Sequence, residues 1–241
     1  GDAVQWGASL GAAVKHMGAY QGHGSIATPH GILITWALMM EGGIQVNCFG
    51  ERFSNEHRGY SEQAVDVLSQ PDQVAWLIID DRLLTLGREF EEFKLAEAAG
   101  AVRHGSSVED LSRKTGIPGA PLEATLRQVL AYTNGEHLDP HGRDFTSQAP
   151  LVSPFHAIKV TGALFHTQGG LEVDAHARVL RTDKSPLPNL YAGGGAACGI
   201  SGSQVWGYLS GNGLLTAVNL GRLAGRTAAK QIEAEGKKYA D

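Results

Sequence analysis

The segment before the last predicted helix carries side chains and backbone groups that could do chemistry. Tyr208 and Ser210 form the pattern Tyr-x-Ser-Gly, and Gly211-Asn212-Gly213 then opens the helix. The unpaired amides and the positive dipole end of a helix start attract negative charge. The segment therefore predicts a place for a group that carries or gains negative charge, although a plain glycine-flanked helix start and a core tyrosine would give the same pattern.

Histidines and cysteines add few further candidates. His166 follows an apolar run and precedes a Gly-Gly turn, and His23 lies between two glycines; each could also be a structural histidine. The other eight histidines have no cysteine-rich neighbourhood, so we predict no metal site. Cys48 and Cys198 are 150 residues apart, and we expect two reduced thiols in a cytoplasmic protein rather than a disulfide. Cys198 has no electropositive partner in the sequence around it and is expected to be inert.

Composition excludes several classes of protein. The chain has 241 residues, of which 42% are hydrophobic and 19% charged, as is typical of a globular protein with an ample core. The net charge of −5 leaves no basic excess to neutralise a nucleic-acid backbone. The longest apolar stretch, residues 31–40, is about half the length of a membrane-spanning helix, and no signal peptide is visible. We therefore expect no nucleic-acid partner and no membrane span.

The spacing of apolar residues predicts an α/β protein. We predict helices, the first of them capped by Asp2, over residues 2–16, 82–99, 107–116, 122–134 and 214–235. We predict strands around residues 44–48, 74–79, 156–161, 171–174 and 190–192. The 32 glycines, roughly twice the usual share, form clusters. Such clusters indicate backbone packed against something bulky, or turns that need a positive φ.

Several motifs in sequence order resemble one known family. They are Phe-His-Thr-Gln-Gly-Gly at 165–170, Pro-Asn-Leu-Tyr-Ala-Gly-Gly-Gly at 188–195, Ser-Gly-Asn-Gly at 210–213 and Gly-Arg-Leu-Ala-Gly at 221–225. Residues 50–56, residues 111–118 and the opening Gly1-Asp2 match further parts of the same pattern. Over essentially its whole length, the chain resembles the C-terminal part of FAD-dependent oxidoreductases of the succinate dehydrogenase/fumarate reductase flavoprotein superfamily.

The resemblance implies an FAD domain interrupted by a capping domain that closes over the substrate. Residues 1–24 and 148–241 would be FAD-domain segments, and residues 25–147 would be the cap. A Rossmann-type FAD domain also needs Gly-x-Gly-x-x-Gly between a strand and a helix that meets the pyrophosphate. We find no such unit in this sequence, so the expected fold is a partial Rossmann-like FAD-binding domain without the N-terminal dinucleotide-binding βαβ unit. A second polypeptide carrying the missing half is the simplest expectation, and a chain that never binds FAD is the other.

The resemblance also assigns residues to the cofactor. The start of the terminal helix would offer the main-chain amides of Leu214 and Leu215 to the pyrimidine edge of the flavin. The other cofactor-binding residues that it implies are Asp2, Gly169, Gly170, Gly194, Gly195, Gly211 and Asn212.

Substrate contacts follow from the same resemblance. Dicarboxylate-specific members bind their substrate with arginines, whose planar guanidinium matches a carboxylate. Counted from the motifs, Tyr208 and Tyr60 take the places of two such arginines, although Arg58 lies only two residues from Tyr60 and a register slip would restore one arginine. Trp36 takes the place of a further polar contact, and His23 keeps an expected histidine; both would contact the substrate.

The pattern Tyr-x-Ser-Gly resembles the flavin-dependent 3-ketosteroid dehydrogenases, especially the Δ4-(5α) type. This resemblance implies Tyr208 as the acid/base or carbonyl-polarising group, Tyr60 as its partner, Ser210 as an orienting residue and His166 beside flavin and substrate. The predicted function is oxidation or reduction of a CH–CH bond next to a carbonyl, in a ketosteroid or similar apolar enone. The alternatives are reduction of fumarate or another dicarboxylate, and a noncatalytic half-chain that needs a partner polypeptide to bind FAD.

Overall fold

The computed structural model describes residues 1–238 and shows a mixed α/β chain with open sheets. The helices within those residues are α1 Asp2–Ser9, α2 Ala37–Met40, α3 Tyr60–Leu68, α4 Asp81–Gly87, α5 Glu91–Ala98, α6 Val108–Thr115, α7 Gly119–Thr133 and α8 Asn212–Lys238. The strands are β1 Val14–Lys15, β2 Tyr20–Ala27, β3 Ile32–Leu33, β4 Ile44–Val46, β5 Val74–Asp80, β6 Val102–His104, β7 Phe155–Thr167, β8 Gly170–Leu171, β9 Arg178–Leu180 and β10 Pro186–Tyr191.

The chain divides into two compact units. The terminal unit comprises Gly1–Gln21 and the chain from Leu164 onward, and the central unit comprises Gly22–Ala163. The division therefore falls after residue 163, whereas the sequence predicted a domain boundary after residue 147. The difference arises because residues 155–161 of β7 pair with β5, which keeps them in the central unit.

An antiparallel sheet organises the central unit, with strand order β3-β2-β7-β5-β4 and β6 paired to β7. Strand β5 is the predicted apolar strand, which is confirmed, and it is buried on both faces. Leu77 and Ile79 pack into one hydrophobic cluster, and Trp76 and Ile78 pack into a second one. Successive side chains of a strand point to opposite faces, so this alternation places a core on each side of the sheet.

Local signals predicted α6 and α7 of the central unit, whereas α2 and α3 were not predicted and the region of α4 and α5 was predicted as one helix. Helix α6 begins after Ser107, whose side chain accepts a hydrogen bond from the amide of Asp110 at 3.2 Å, and ends at Gly116 with φ +82°, as predicted. The helix predicted over residues 82–99 is wrong as a single element. It is interrupted because Phe90 adopts an extended conformation before α5.

The terminal unit contains α1, the β1–β8 pair, the β9–β10 hairpin and α8. The predicted helix over residues 2–16 is wrong beyond Ser9, because Gly11 takes a φ of +85° and the chain then enters β1. Asp2 is the first residue of α1 and makes no capping hydrogen bond, so the predicted cap is also wrong. The predicted terminal helix is confirmed as α8. No helix within residues 1–238 is both long enough and apolar enough to cross a membrane.

Candidate active site

Tyr208 and His166 lie in contact in the terminal unit. The Tyr208 hydroxyl is 3.0 Å from Nε2 of His166, and the two rings are arranged edge to face. Gln168 Nε2 lies 3.1 Å from Nδ1 of the same imidazole. Gln168 in turn accepts a hydrogen bond from Asn212 Nδ2 at 2.8 Å. The two residues that the sequence singled out are thus joined, and a buried amide pair extends the network behind them.

Two contacts at Nδ1 of His166 bear on where the imidazole carries its proton. Because Gln168 accepts from Asn212 through Oε1, its amide nitrogen faces His166 and can donate to Nδ1; the imidazole then carries its proton on Nε2 and donates it to Tyr208, which stabilises the phenolate. The carbonyl of Thr167, also 3.1 Å from Nδ1, favours the other tautomer, in which Nε2 accepts the Tyr208 proton. The network therefore supports Tyr208 as a group that can give up a proton.

Backbone packing fixes the position of Gln168, which is 3% exposed. The backbone N–H of Gln168 donates to the carbonyl of Ala19 at 2.8 Å, and its backbone carbonyl accepts from the backbone N–H of Gly199 at 2.8 Å. Asn212 is the first residue of α8 and also donates to Ser201 Oγ at 2.7 Å. Three elements of the terminal unit thus hold the network in one geometry, as a catalytic arrangement requires.

The serine of this network is not the predicted one. Ser210 is exposed, whereas Ser201 is buried and its hydroxyl accepts from Asn212 and from the amide of Leu209. Sequence reasoning missed Ser201 and Gln168. Gln168 stands inside the quoted motif at 165–170, and that was a usable signal, but nothing in the spacing of Ser201 indicated its partner.

A small hollow of about 40 Å³ adjoins the network. Its lining includes five residues of the glycine-rich segments and the helix start, namely Gly194, Gly195, Gly199, Asn212 and Gly213. No atom of the structure lies within 4 Å of the place where a Cβ of Gly195 or of Gly211 would stand, so both backbones are open to a ligand. The start of α8 is therefore bordered by backbone that no side chain covers.

The remaining predicted cofactor residues divide by environment. A Cβ on Gly169 would stand 2.6 Å from Met17 Cα, and one on Gly170 would stand 2.5 Å from the carbonyl of Ala197. Packing within the chain therefore requires glycine at both positions, whether or not a cofactor binds. Asp2 is exposed on α1. At the start of α8, the Leu215 amide already donates to Gly211 O at 3.0 Å, whereas Leu214 lies in the first turn, where amides lack a partner within the helix.

Cys198 has a partner that the sequence did not reveal. Its Sγ lies 3.4 Å from Nδ1 of His16, in the terminal unit. Burial raises the pKa of the Cys198 thiol, and the nearby Lys15 opposes this. The expectation of a cysteine without a basic neighbour was therefore wrong, while the raised pKa agrees with an inert thiol.

In the central unit, three further predicted residues form an aromatic cluster. The His23 ring stacks on Tyr60 with centroids 5.1 Å apart, and the Trp36 ring lies edge-on to His23 at 5.6 Å. Burial lowers the pKa of His23 to about 4, so the imidazole is neutral at pH 7. Nδ1 of His23 accepts from the amide of Ser25 at 3.2 Å, which leaves the ring proton on Nε2. Trp36 Nε1 is buried without a hydrogen-bond partner.

The arginines near this cluster in sequence are committed to other carboxylates. Arg58, with 53% of its side chain exposed, forms an ion pair with Asp66, and the register slip that would make it a substrate ligand stays a prediction. Arg52 and Arg143 both pair with the buried Glu56. Burial alone would raise the pKa of Glu56, but the two arginines outweigh it and lower the pKa to about 2. This buried ion cluster is a structural feature of the central unit.

Comparison with known proteins identifies the family. The family model described as FAD binding domain matches residues 1–214. A probable fumarate reductase of Shewanella frigidimarina is 30% identical over 95% of this chain and 38% of its own length. A KsdD-like steroid dehydrogenase of Mycobacterium tuberculosis is 44% identical over 34% of this chain and 15% of its own length.

The structure of 3-ketosteroid Δ4-(5α)-dehydrogenase from Rhodococcus jostii RHA1, in complex with 4-androstene-3,17-dione, superposes with a TM-score of 0.65. It is 25% identical, with 94% of this chain and 45% of that chain covered. The chain belongs to the FAD binding domain family, and within it to the succinate dehydrogenase/fumarate reductase flavoprotein superfamily. It spans about two fifths of the length of the fumarate reductase that it matches.

Proposed function

We propose that this chain supplies the flavin-ring side of an FAD-dependent oxidoreductase that oxidises or reduces a CH–CH bond next to a carbonyl. The observation that supports the proposal best is the contact between Tyr208 and His166, at 3.0 Å, in a network that ends at the start of α8. FAD, when bound, supplies the hydride acceptor or donor. The amides of Gly213 and Leu214 and the open backbone at Gly195 would hold the ring edge.

In this proposal Tyr208 polarises the substrate carbonyl and exchanges a proton with it. The Nε2–H of His166 stabilises the charge on the phenol oxygen, and Gln168 holds the imidazole in that tautomer. Asn212 fixes the orientation of Gln168. Ser210 is kept as an orienting residue and Tyr60 as a second acid/base group, and both roles are predictions from the family resemblance.

We propose a neutral and largely apolar substrate. The cluster of His23, Trp36 and Tyr60 carries no positive charge at pH 7, because the His23 pKa is about 4. The Trp36 Nε1–H is a buried donor that a carbonyl oxygen could satisfy. Binding a dicarboxylate needs cationic side chains, whereas Arg58 is paired with Asp66. These features favour a ketosteroid or similar enone.

Dicarboxylate reduction is the second candidate, because sequence similarity over most of the chain favours it. The fumarate reductase of Shewanella frigidimarina aligns with 95% of this chain, whereas the steroid dehydrogenase of Mycobacterium tuberculosis aligns with 34%. The choice rests on whether tyrosines in place of arginines can still bind two carboxylates.

The FAD-binding half that carries Gly-x-Gly-x-x-Gly is proposed to be a separate segment, on a second polypeptide in the simplest case. The terminal unit exposes large apolar side chains on α1 and α8: Trp6 is 70% exposed and Leu214 79% exposed. Surfaces of this kind are typical of protein contacts. A chain that binds no FAD by itself and has no catalytic role is the remaining alternative.

The experiment has two stages. First, bound flavin is measured by visible absorbance after gel filtration of the chain with FAD, alone and with co-purified polypeptides. Second, any flavin-containing preparation is assayed with a 3-ketosteroid and an artificial electron acceptor, and with fumarate and an artificial donor. Turnover of the ketosteroid supports the proposal, and turnover of fumarate alone refutes the substrate assignment. Failure of every preparation to retain flavin would support the noncatalytic alternative.

A further inference from the structure

Two histidines on neighbouring strands of the central unit point at each other. His104 of β6 and His156 of β7 are directly paired in the antiparallel register. Their Nδ1 atoms are 3.1 Å apart, and the ring centroids are 4.9 Å apart with the planes at 73°. No motif indicates this pair, because the two residues are separated by 52 positions along the chain.

Each imidazole has a carboxylate at its other nitrogen. Asp81 Oδ1 lies 2.8 Å from Nε2 of His156, and Glu97 Oε1 lies 3.6 Å from Nε2 of His104. A carboxylate accepts and cannot donate, so Asp81 holds the ring proton of His156 on Nε2 and leaves a lone pair on Nδ1. Glu97 lies beyond hydrogen-bond distance of His104 and is paired with Arg88, so it does not fix the tautomer of His104. Without a metal, Nδ1–H of His104 donates to Nδ1 of His156; when the His104 proton moves to Nε2, both Nδ1 atoms offer a lone pair to the same space, and a cation can take the place of the proton.

We propose that His104 and His156 form a binding site for a divalent transition-metal ion of the zinc type, with both Nδ1 atoms as ligands. An ion about 2.0–2.1 Å from each nitrogen, the usual Zn–N distance, would subtend an angle of about 95–100° at the observed separation. This angle lies between octahedral and tetrahedral values. Water would complete the coordination, since residues 1–238 contain no group of three or more histidine, cysteine or acidic side chains placed to hold a metal.

The carboxylate of Asp81 distinguishes this pair from two merely adjacent histidines. Histidines that bind metals donate their second N–H to a carboxylate, carbonyl or water, which fixes the tautomer and increases the basicity of the ligand nitrogen. Here the ring held by Asp81 is nearly buried, with 6% of the His156 side chain exposed. The His104 side chain is 48% exposed, which gives an ion access from solvent.

Two cations near the site set an upper limit on its affinity. Arg88 pairs with Glu97 at 2.6 Å, and Lys114 Nζ donates to the carbonyl of His104 at 2.7 Å. Both oppose a further positive charge. With two protein ligands and these cations, we expect micromolar rather than nanomolar binding.

Isothermal titration of the untagged chain with Zn²⁺ tests the proposal. We expect one equivalent to bind to the wild type and His104→Ala to lose at least tenfold in affinity. His176→Ala, at an exposed histidine of the terminal unit, is the matched control and should bind as the wild type does. Mg²⁺, which prefers oxygen ligands, should not compete. Absence of Zn²⁺ binding to the wild type, or unchanged binding to His104→Ala, would overturn the proposal. A proton shared between the two Nδ1 atoms would then account for their contact.

A second variant separates the site from adventitious zinc at single histidines. Asp81→Asn leaves both ligands in place but removes the charged acceptor from Nε2 of His156. Loss of such a partner typically costs about 10–100-fold in metal affinity. We expect about a tenfold loss, with the circular dichroism spectrum unchanged. Full affinity in Asp81→Asn would show that the carboxylate–histidine arrangement does not hold the metal. None of these measurements depends on flavin or on the proposed function.

Discussion

Replacing His23 by phenylalanine should make the stability of the protein less sensitive to acid between pH 7.5 and 5. In the folded chain, burial lowers the pKa of His23 to about 4 from an ordinary value of 6.5. The unfolded chain therefore binds the proton first as the pH falls. The contribution of His23 to stability is unaffected above pH 6.5, decreases as the pH falls from 6.5 to 4, and changes no further below 4.

The size of the effect follows from the two pKa values. A difference of 6.5 − 4 = 2.5 pKa units corresponds to about 3 kcal/mol at 1.36 kcal/mol per unit. At pH 5 about 2 kcal/mol of this should already be lost, because the unfolded imidazole is then almost fully protonated. Phenylalanine keeps a ring against Tyr60 but cannot take up a proton.

Urea unfolding at pH 7.5, 6.5, 5.5 and 5.0, followed by circular dichroism, measures the effect. The quantity of interest is the free energy of unfolding of the wild type minus that of His23→Phe, plotted against pH. It should decrease by about 2 kcal/mol between pH 7.5 and 5.0. His137→Ala measures what an exposed histidine contributes in the same range. A flat difference for His23→Phe would refute the burial of a neutral imidazole in the aromatic cluster.

Two other substitutions test the site and the buried ion cluster. Glu56→Gln should destabilise the protein by about 3–5 kcal/mol at pH 7, because it leaves the buried Arg143 guanidinium without a carboxylate and leaves Arg52 with Asp139 alone. The wild type should lose most of this advantage as the pH falls from 4.5 towards 2, the range between the ordinary and the lowered pKa of Glu56. Urea unfolding of Glu56→Gln beside Glu123→Gln, at an exposed position, measures the loss, and equal stability of the two would contradict the argument. Tyr208→Phe should lower turnover by about 10²–10⁴-fold in any flavin-containing preparation, while flavin stays bound. His166→Gln should lower turnover less strongly. Steady-state kinetics measure both effects, and an unchanged kcat in Tyr208→Phe would exclude Tyr208 as the proton donor.

Local signals in the sequence were enough for many elements. Strand β5 follows from a short run of branched apolar residues, and α6 follows from a serine cap and a stopping glycine. The first helix was predicted too long because its apolar residues continue past Gly11. The positive φ of that glycine ends the helical path, and a spacing pattern does not register a backbone angle.

The candidate site was predictable only in part, because most of its contacts are non-local. Tyr208 and His166 were found through motifs that the family resemblance supplied, and their hydrogen bond joins positions 42 residues apart. Ser201, the Cys198–His16 pair and the His104–His156 pair carry no motif of their own. They come together through strand register and loop packing, which a single sequence does not specify.

The packing around Gly169 and Gly170 has a consequence for saturation mutagenesis of this chain. Any side chain at either position would collide with main chain, on one side at His16 and Met17 and on the other at Ala197 and Cys198. Alleles at both positions should therefore be depleted even in a selection for folded protein that contains no flavin. At Gly195 a Cβ meets no atom of the chain, so the alanine variant should survive the selection for folded protein. It should be depleted only in a selection for cofactor retention. Comparing the two selections would sort the glycines of this family into those that hold the chain together and those that make room for its ligand.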